Sequence, residues 1–250
     1  MPESVVLQRM SESEEVSGRR SRYVAPKGAS IRLSELLASI HRSTNVDQGN
    51  LFREQNDADM DVFYAGDLSL LQRKCVSVIG ARDVSENGAA RARRVARGLV
   101  DAGVVVTSGL AKGVDVAAHT GALQEGGSTI AVIGTPLDKA YPADHADIQT
   151  EIYTHHLLIS QFRPGARTFP SDFPKRNRLM AALTDASVIV EASDSSGTLH
   201  QAAECVRLGR WLFIMKAVAD NRDLEWPAKF LKSPKVAVLS SVQDILDAIG

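Results

Sequence analysis

Apolar residues in this chain gather into short, nearly unbroken runs, separated by polar stretches with a helical repeat. CVSVIG (75–80), VVVTSG (104–109), STIAVIG (128–134), HLLIS (156–160), ASVIVEA (186–192) and WLFIMK (211–216) have the pattern of strands buried on both faces. After the first run, Ala89, Ala92, Val95, Ala96, Leu99 and Val100 recur at helical spacing and stop at Gly103, which predicts a helix over 86–102. The same reading predicts helices over 114–123, 144–153, 175–184 and 197–208, a last strand at 236–239 and a closing helix over 241–249. Strand and helix alternating through short loops specify an α/β fold. It is Rossmann-like and doubly wound, a mostly parallel sheet with helices on both faces. Right-handed crossovers then put the carboxyl ends of the strands along one edge.

The first residues lack this regularity. Residues 1–30 are polar and aperiodic and read as a tail. A short helix follows, carrying Ile31, Leu33, Leu36, Leu37 and Ile40 and capped by Ser30 or Ser34, and 42–60 reads as a linker. The expected organisation is a tail, helix and linker over 1–60, a core over 61–217, and a strand–helix extension of the same domain over 218–250.

Composition sharpens this picture in three ways. With 44% hydrophobic but only 5% aromatic residues, the core of this 250-residue chain is built from small aliphatics. Basic and acidic residues balance at 29 and 30, so any site for a polyanion depends on local clustering. Cys75 and Cys205 sit in apolar stretches with no CxxC or Cys/His cluster, so buried thiols are expected and no metal. No signal core and no membrane-length apolar run is present, so a cytoplasmic protein without membrane contact is expected.

Four loops leaving the strand ends combine Gly with a hydroxyl or a cation. They are Gly80-Ala81-Arg82, running on to Asn87-Gly88; Ser108-Gly109-Leu110-Ala111-Lys112-Gly113; Gly134-Thr135-Pro136, running on to Tyr141-Pro142; and Ser195-Ser196-Gly197-Thr198. Glycine permits close backbone approach, and the following helix N-termini favour an anion, so a phosphate-bearing ligand is the expected occupant. A fifth element supplies charge: Arg163, Arg167, Lys175, Arg176 and Arg178, with Asn177 among them, place five cations within 163–178. Basic residues at a helix start oppose its dipole, which an anionic ligand would offset. Neither GxxxxGK[ST] nor GxGxxG occurs, which argues against ATPase and dinucleotide chemistry.

In this order, GAR…NG, SGLAKGVDVAAH, TIAVIGTPLDKAYP, FPKRNRLMAAL, VIVEA and SSGTLHQA, with FYAGDLSLL before them, resemble the core of the DprA/Smf family of DNA-processing proteins over residues 61–217. The resemblance implies a Rossmann-like domain that binds single-stranded DNA, forms a homodimer and helps load a RecA-type recombinase, with no catalytic residue and no cofactor. Position by position it implies phosphate contacts from Gly80 and Arg82, from Ser108, Gly109, Lys112 and Gly113, from Lys175, Arg176, Asn177 and Arg178, and from Ser196, Gly197 and Thr198, to which the loop and charge reading adds Gly134 and Arg163. The chain departs from the family at Ala81, Asn87, His145, Gln161 and His200-Gln201.

Two other functions remain open at this point. One is a nucleotide sensor, or a phosphoribohydrolase-like domain; against cleavage, Gln201 stands where such enzymes carry Glu, with Glu191 and Glu204 nearby. The other is an interaction module on the same scaffold. For Asp115 and His119, four apart on one helix, an acid–base pair competes with the expected structural roles, Asp115 orienting its loop and His119 bonded in the core. His145 is expected to cap a helix, Asp138 to orient the Gly134 loop, His155 and His156 to form an exposed turn, Trp211 and Trp226 to pack, and Arg91, Arg93, Arg94 and Arg97 to form a solvated face. Among loop aromatics, Tyr141, Phe162, Phe169 and Phe173 are candidates for stacking.

Overall fold

In the computed structural model, which describes residues 23–40 and 59–250, nine strands form one sheet. They are β1 (Ala29–Arg32), β2 (Asp61–Gly66), β3 (Cys75–Ile79), β4 (Val105–Ser108), β5 (Thr129–Ile133), β6 (Leu157–Ser160), β7 (Ala186–Ile189), β8 (Trp211–Met215) and β9 (Val236–Leu239), in the spatial order β1-β2-β6-β5-β4-β3-β7-β8-β9. From β6 to β9 every pairing is parallel, while β1–β2 and β2–β6 are antiparallel. The helices are α1 (Leu33–Ser39), α2 (Glu86–Asp101), α3 (Val114–Gln124), α4 (Ala146–His155), α5 (Asp172–Leu183), α6 (Thr198–Arg207), the short α7 (Lys216–Ala219) and α8 (Trp226–Phe230), and α9 (Val242–Ile249).

Side-chain alternation along the strands sorts the core into two layers. Val76, Val78, Val106 and Val188 point to the face covered by α2, α3 and α9, where Ala92, Ala96, Ala118 and Ala122 let the helices sit close. Cys75, Ile79, Val105, Ile130 and Ile189 point to the other face, against Leu179, Met180 and Leu183 of α5 and Ala202 and Cys205 of α6. Every residue in β3 to β7 is buried, which explains why those runs are apolar stretches interrupted only by Ser and Thr. Helix ends follow local chemistry. The Ser85 hydroxyl accepts from Gly88 N–H at the start of α2, and Ser241 and Asp244 form a capping box on α9.

Three expectations at the N-terminal side need correction. Residues 23–32 are not all tail, because β1 pairs with β2 at the sheet edge and the Tyr23 hydroxyl donates to Leu137 O at 2.8 Å. Helix α1 is present, but its N-cap is Arg32, whose side chain does not cap it and donates to Asp59 O at 3.0 Å; Ser34 donates to Asp59 Oδ2 at 2.8 Å. β2, second from the sheet edge between β1 and β6, is a further strand where the sequence offers only a lead-in, with just Val62 and Ala65 buried. The tail at 1–22 and the linker at 41–58 lie outside the described residues.

Cys75 and Cys205 are both buried, and burial pushes the Cys205 thiol up to about 12. Among the described residues no helix is long and apolar enough to cross a membrane, and no group of three or more His, Cys, Asp and Glu is placed to hold a metal.

Candidate functional site

The chain runs from β3 through β4 and β5 to β6 on one side, then returns to β7 beside β3 and proceeds outward through β8 to β9. The loops leaving β3 and β7 therefore part from each other, and a crevice opens between them at this switch point. It is a cleft of about 900 Å³, walled by Gly80–Asp83 after β3, by Glu191–Ser193 and Ser196–Thr198 after β7, and by Ala217 and Asn221 after β8. Phe173, Arg176 and Asn177 of α5 form a further wall, and Arg91 of α2, Asp115 of α3 and Gln201 of α6 also line it.

On the β7 side the turn is open. A Cβ built on Gly197 would meet nothing within 4 Å. The Ser196 hydroxyl accepts from Thr198 N–H at 3.2 Å, and the buried Thr198 hydroxyl donates to Gly80 O at 3.1 Å, which ties this turn to the first one. Asn177 Nδ2 reaches Gly197 O at 3.5 Å. On the β3 side, Ala81 N–H donates to Glu191 O at 2.7 Å. Arg82 is exposed, with its guanidinium 5.0 Å from the centre of the Phe173 ring. Gly113 has φ +78°, and a Cβ there would collide with the Ala81 and Arg82 carbonyls, so the loop carrying the exposed Lys112 lies against the backbone of the first turn.

On the β4 and β5 side the glycines make room for protein. A Cβ on Gly109 would collide with the Arg176 guanidinium, and one on Gly134 would lie 2.7 Å from Phe173 Cδ1. Gly80 is tight as well, its Cβ position 2.7 Å from Glu191 O. Arg176 is 4% exposed; its Nη1 donates to Gly109 O and, at 2.8 Å, to Val132 O. Its charge faces Asp115, whose carboxyl is pushed above the ordinary range by burial, against the pull of Arg176 and of bonds from the Ala111 and Gly109 backbone. Ser108, fully buried, gives its hydroxyl to Val78 O at 2.7 Å.

Other candidates are spread around this arrangement. Lys175 lies 3.5 Å from Asp172, and Arg178 3.4 Å from Glu204 of α6. Arg163 is exposed in the loop before α5, away from the cleft walls. The structure thus brings Gly80, Arg82, Arg176, Asn177, Ser196, Gly197 and Thr198 to one cleft, with Lys112 and Gly113 on its border. Ser108, Gly109 and Gly134 support it from beneath, and Arg163, Lys175 and Arg178 stand outside its walls.

The histidines serve the scaffold. His119 Nδ1 lies 2.7 Å from Thr129 Oγ1, whose own proton goes to Val106 O, so the imidazole donates from Nδ1. Burial, with His156, His145 and Arg176 nearby, drives the His119 pKa down to about 3, leaving it neutral. His145 gives no cap bond; its Nδ1 meets Leu110 O at 2.9 Å, where Leu110 holds a φ of +57°. Asp138 accepts from Gly165 N–H at 2.9 Å rather than from the Gly134 loop, and Lys139 donates to Ala166 O at 2.7 Å. No spacing in the sequence foretells these bonds, because their partners are 27 to 35 residues away. Glu191 is a further organiser. It accepts from the backbone and hydroxyl of Ser85 at 2.9 and 2.7 Å, fixing the start of α2 at the cleft rim.

Comparison with known proteins agrees with this geometry. A family model described as DNA recombination-mediator protein A matches residues 43–250. The DNA processing protein DprA of Streptococcus pneumoniae is 43% identical over 157 residues, covering 63% of this chain and 55% of that protein. Protein Smf of Escherichia coli is 32% identical over 187 residues, covering 74% of this chain and 50% of its own length. The chain therefore spans about half the length of these relatives. Among solved structures, DprA of S. pneumoniae superposes with a TM-score of 0.68 at 34% identity, covering 86% of this chain and 76% of that one. DNA processing protein A of Helicobacter pylori, described for its single-stranded DNA binding mode, superposes with a TM-score of 0.69 at 25% identity, covering 83% and 95%. The Rossmann-like sheet, the ordered motifs along its edge and the match over 43–250 agree: the chain belongs to the DNA recombination-mediator protein A family, the DprA/Smf proteins.

Proposed function

We propose that this chain binds single-stranded DNA in the switch-point cleft and so supports DNA processing, recombination or natural transformation. The observation that carries the proposal is the open wall of the cleft: an exposed Arg82 on one side and an unobstructed Ser196–Gly197 turn at the N-terminus of α6 on the other, with the exposed Lys112 in the loop next to it. A phosphodiester fits that pairing of exposed cations and uncovered backbone. The reading draws support from the DNA-processing relatives and from the H. pylori structure described for its single-stranded DNA binding. Binding, not catalysis, is proposed, since Glu191 is bonded to Ser85 and the carboxylate of Asp115 faces Arg176. A homodimer and a RecA-type recombinase as partner, in the cytoplasm, belong to the same proposal by family likeness.

A second reading has one observation in its favour: switch-point crevices of open α/β sheets also take mononucleotides. Fluorescence anisotropy with a labelled single strand, competed by duplex DNA and by nucleoside monophosphates, separates the two. The strand should bind with a steep salt dependence, and duplex and mononucleotide should compete poorly. Arg82→Ala and Lys112→Ala should each weaken binding about tenfold and lower the salt slope by about one, with melting unchanged. Affinity independent of salt, or full competition by a monophosphate, would overturn strand binding.

A further inference from the structure

Residues 23–32 lie before the stretch that matches the family, 43–250, yet they are built into the fold. β1 seats the segment on β2, and Tyr23 ties its other end to the loop between β5 and α4. The Tyr23 ring packs edge-on against Tyr153 of α4, with centroids 6.3 Å apart, and the Tyr153 hydroxyl donates to Val24 O at 3.0 Å. The Tyr23 hydroxyl donates to Leu137 O at 2.8 Å and accepts from Nε2 of the fully buried Gln149, also at 2.8 Å. The same Nε2 donates to Lys139 O at 3.1 Å. Gly28 leaves the space that Leu137 fills, since a Cβ there would lie 2.9 Å from Leu137 Cδ1. Burial pushes the Tyr23 phenol up to about 12, so the hydroxyl keeps the proton it gives to the loop.

The loop held in this way leads to the cleft. Beyond Leu137 and Lys139 it carries Tyr141, whose ring packs on Phe173 with centroids 5.6 Å apart. Phe173 lines the cleft, packs on Gly134 at the head of the same loop, and carries the Arg82 guanidinium over its ring at 5.0 Å. An exposed arginine has many rotamers, and a ring beneath the guanidinium narrows them before a ligand arrives. We propose that Tyr23 is a positioning residue for DNA binding: its hydroxyl fixes the 134–141 loop, the loop fixes Phe173, and Phe173 holds Arg82 where it meets a phosphate. The proposal rests on the strand-binding reading above and deepens it by bringing the N-terminal segment into the site. Tyr23 itself stands outside the cleft walls.

A double-mutant cycle with a labelled single strand reads this link. Tyr23→Phe keeps the ring and removes the hydroxyl. It should weaken binding about threefold and move the salt slope part of the way toward that of Arg82→Ala. In the Arg82→Ala background the same change should have no further effect, because the cation it positions is gone. Ser34→Ala, which removes the hydroxyl bond to Asp59 instead, should leave binding unchanged in both backgrounds. A merely structural role gives the opposite pattern, with equal weakening in both backgrounds and an unaltered salt slope. That pattern, or parental affinity in Tyr23→Phe, would overturn the proposal. Hydrogen exchange supplies a reading without DNA. Tyr23→Phe should speed exchange of the Lys139 amide, which donates to Pro136 O at 3.1 Å, and leave β3 and β4 as in the parent. An unchanged Lys139 amide overturns the hold on the loop. If that amide responds but no strand binds the parent protein, strand binding and the positioning role fall while the hold on the loop stands.

Discussion

Gly109 and Gly197 each follow a parallel strand, and each lies next to a helix that borders the same cleft. A Cβ on Gly109 would run into the Arg176 guanidinium, while one on Gly197 would enter open space. The difference divides the cleft edge into a filled half, over β4 and β5, and an open half, made of the turn after β7 and the exposed Arg82 that follows the tight Gly80 after β3. In the filled half the cation of a basic motif is spent on backbone carbonyls, and glycines are gaps that let it in. In the open half the cations are exposed and the glycine leaves backbone uncovered. Similar composition therefore serves two purposes: one half holds the loops in shape, and the other is free to meet a ligand.

The most severe way to break this comparison is to remove Arg176. Arg176→Met leaves Gly109 O and Val132 O without their donor and Asp115 without the charge it faces, so a loss of about 3–5 kcal/mol in unfolding free energy is expected. Gly109→Ala should destabilise for the complementary reason, having no space for its methyl. Urea unfolding measures both, with Arg82→Ala alongside as the open-half control that should stay within about 0.5 kcal/mol of the parent. Wild-type stability in Arg176→Met, coupled with lost DNA binding, would move Arg176 from the scaffold to the ligand.

The filled half should also carry the pH sensitivity. His119 binds its proton at about pH 3 in the folded chain and near its ordinary 6.5 when unfolded. Below 6.5 the unfolded state takes up the proton and the folded state does not, so stability is full above that pH and falls as pH drops toward 3. By pH 5 the loss from this one group should be about 2 kcal/mol. Denaturation midpoints of the parent and of His119→Gln, measured from pH 7 to pH 4, check it. The variant should start lower and change less, and equal slopes would remove His119 as the source.

The same division explains what could be read from the sequence. The parallel strands were legible because burial on both faces leaves an unbroken apolar run, as in CVSVI and TIAVI. β1 and β2 were not, because this outer antiparallel pair keeps exposed and half-exposed residues along both strands and leaves no such run. Arg82, Ser196 and Gly197 line one cleft, with the exposed Lys112 in a loop next to it. Arg176 and Ser108 resemble them in type, but whether a cation or hydroxyl turns inward depends on carbonyls at Gly109, Val132 and Val78, which are 30 to 67 residues distant. Local composition carries no record of those partners. For the same reason Asp115 and His119, four apart on one helix face, looked equally suited to chemistry and to packing until their neighbours were known.

The mildest test lies at the open turn. Gly197 has φ −60° and ψ −16°, a conformation that alanine adopts without strain. A methyl there gains by restricting the unfolded chain and loses a few tenths of a kcal/mol as a poorer helix N-cap, so Gly197→Ala should leave stability within about 0.5 kcal/mol. Its methyl would nonetheless stand where a phosphate is proposed to approach the backbone. Binding of a labelled strand should then weaken about threefold, a change of roughly 0.7 kcal/mol, with the salt slope unaltered because no charge is lost. If affinity is unchanged while Arg82→Ala still weakens it, the phosphate path runs along the β3 side of the cleft and does not touch the turn before α6.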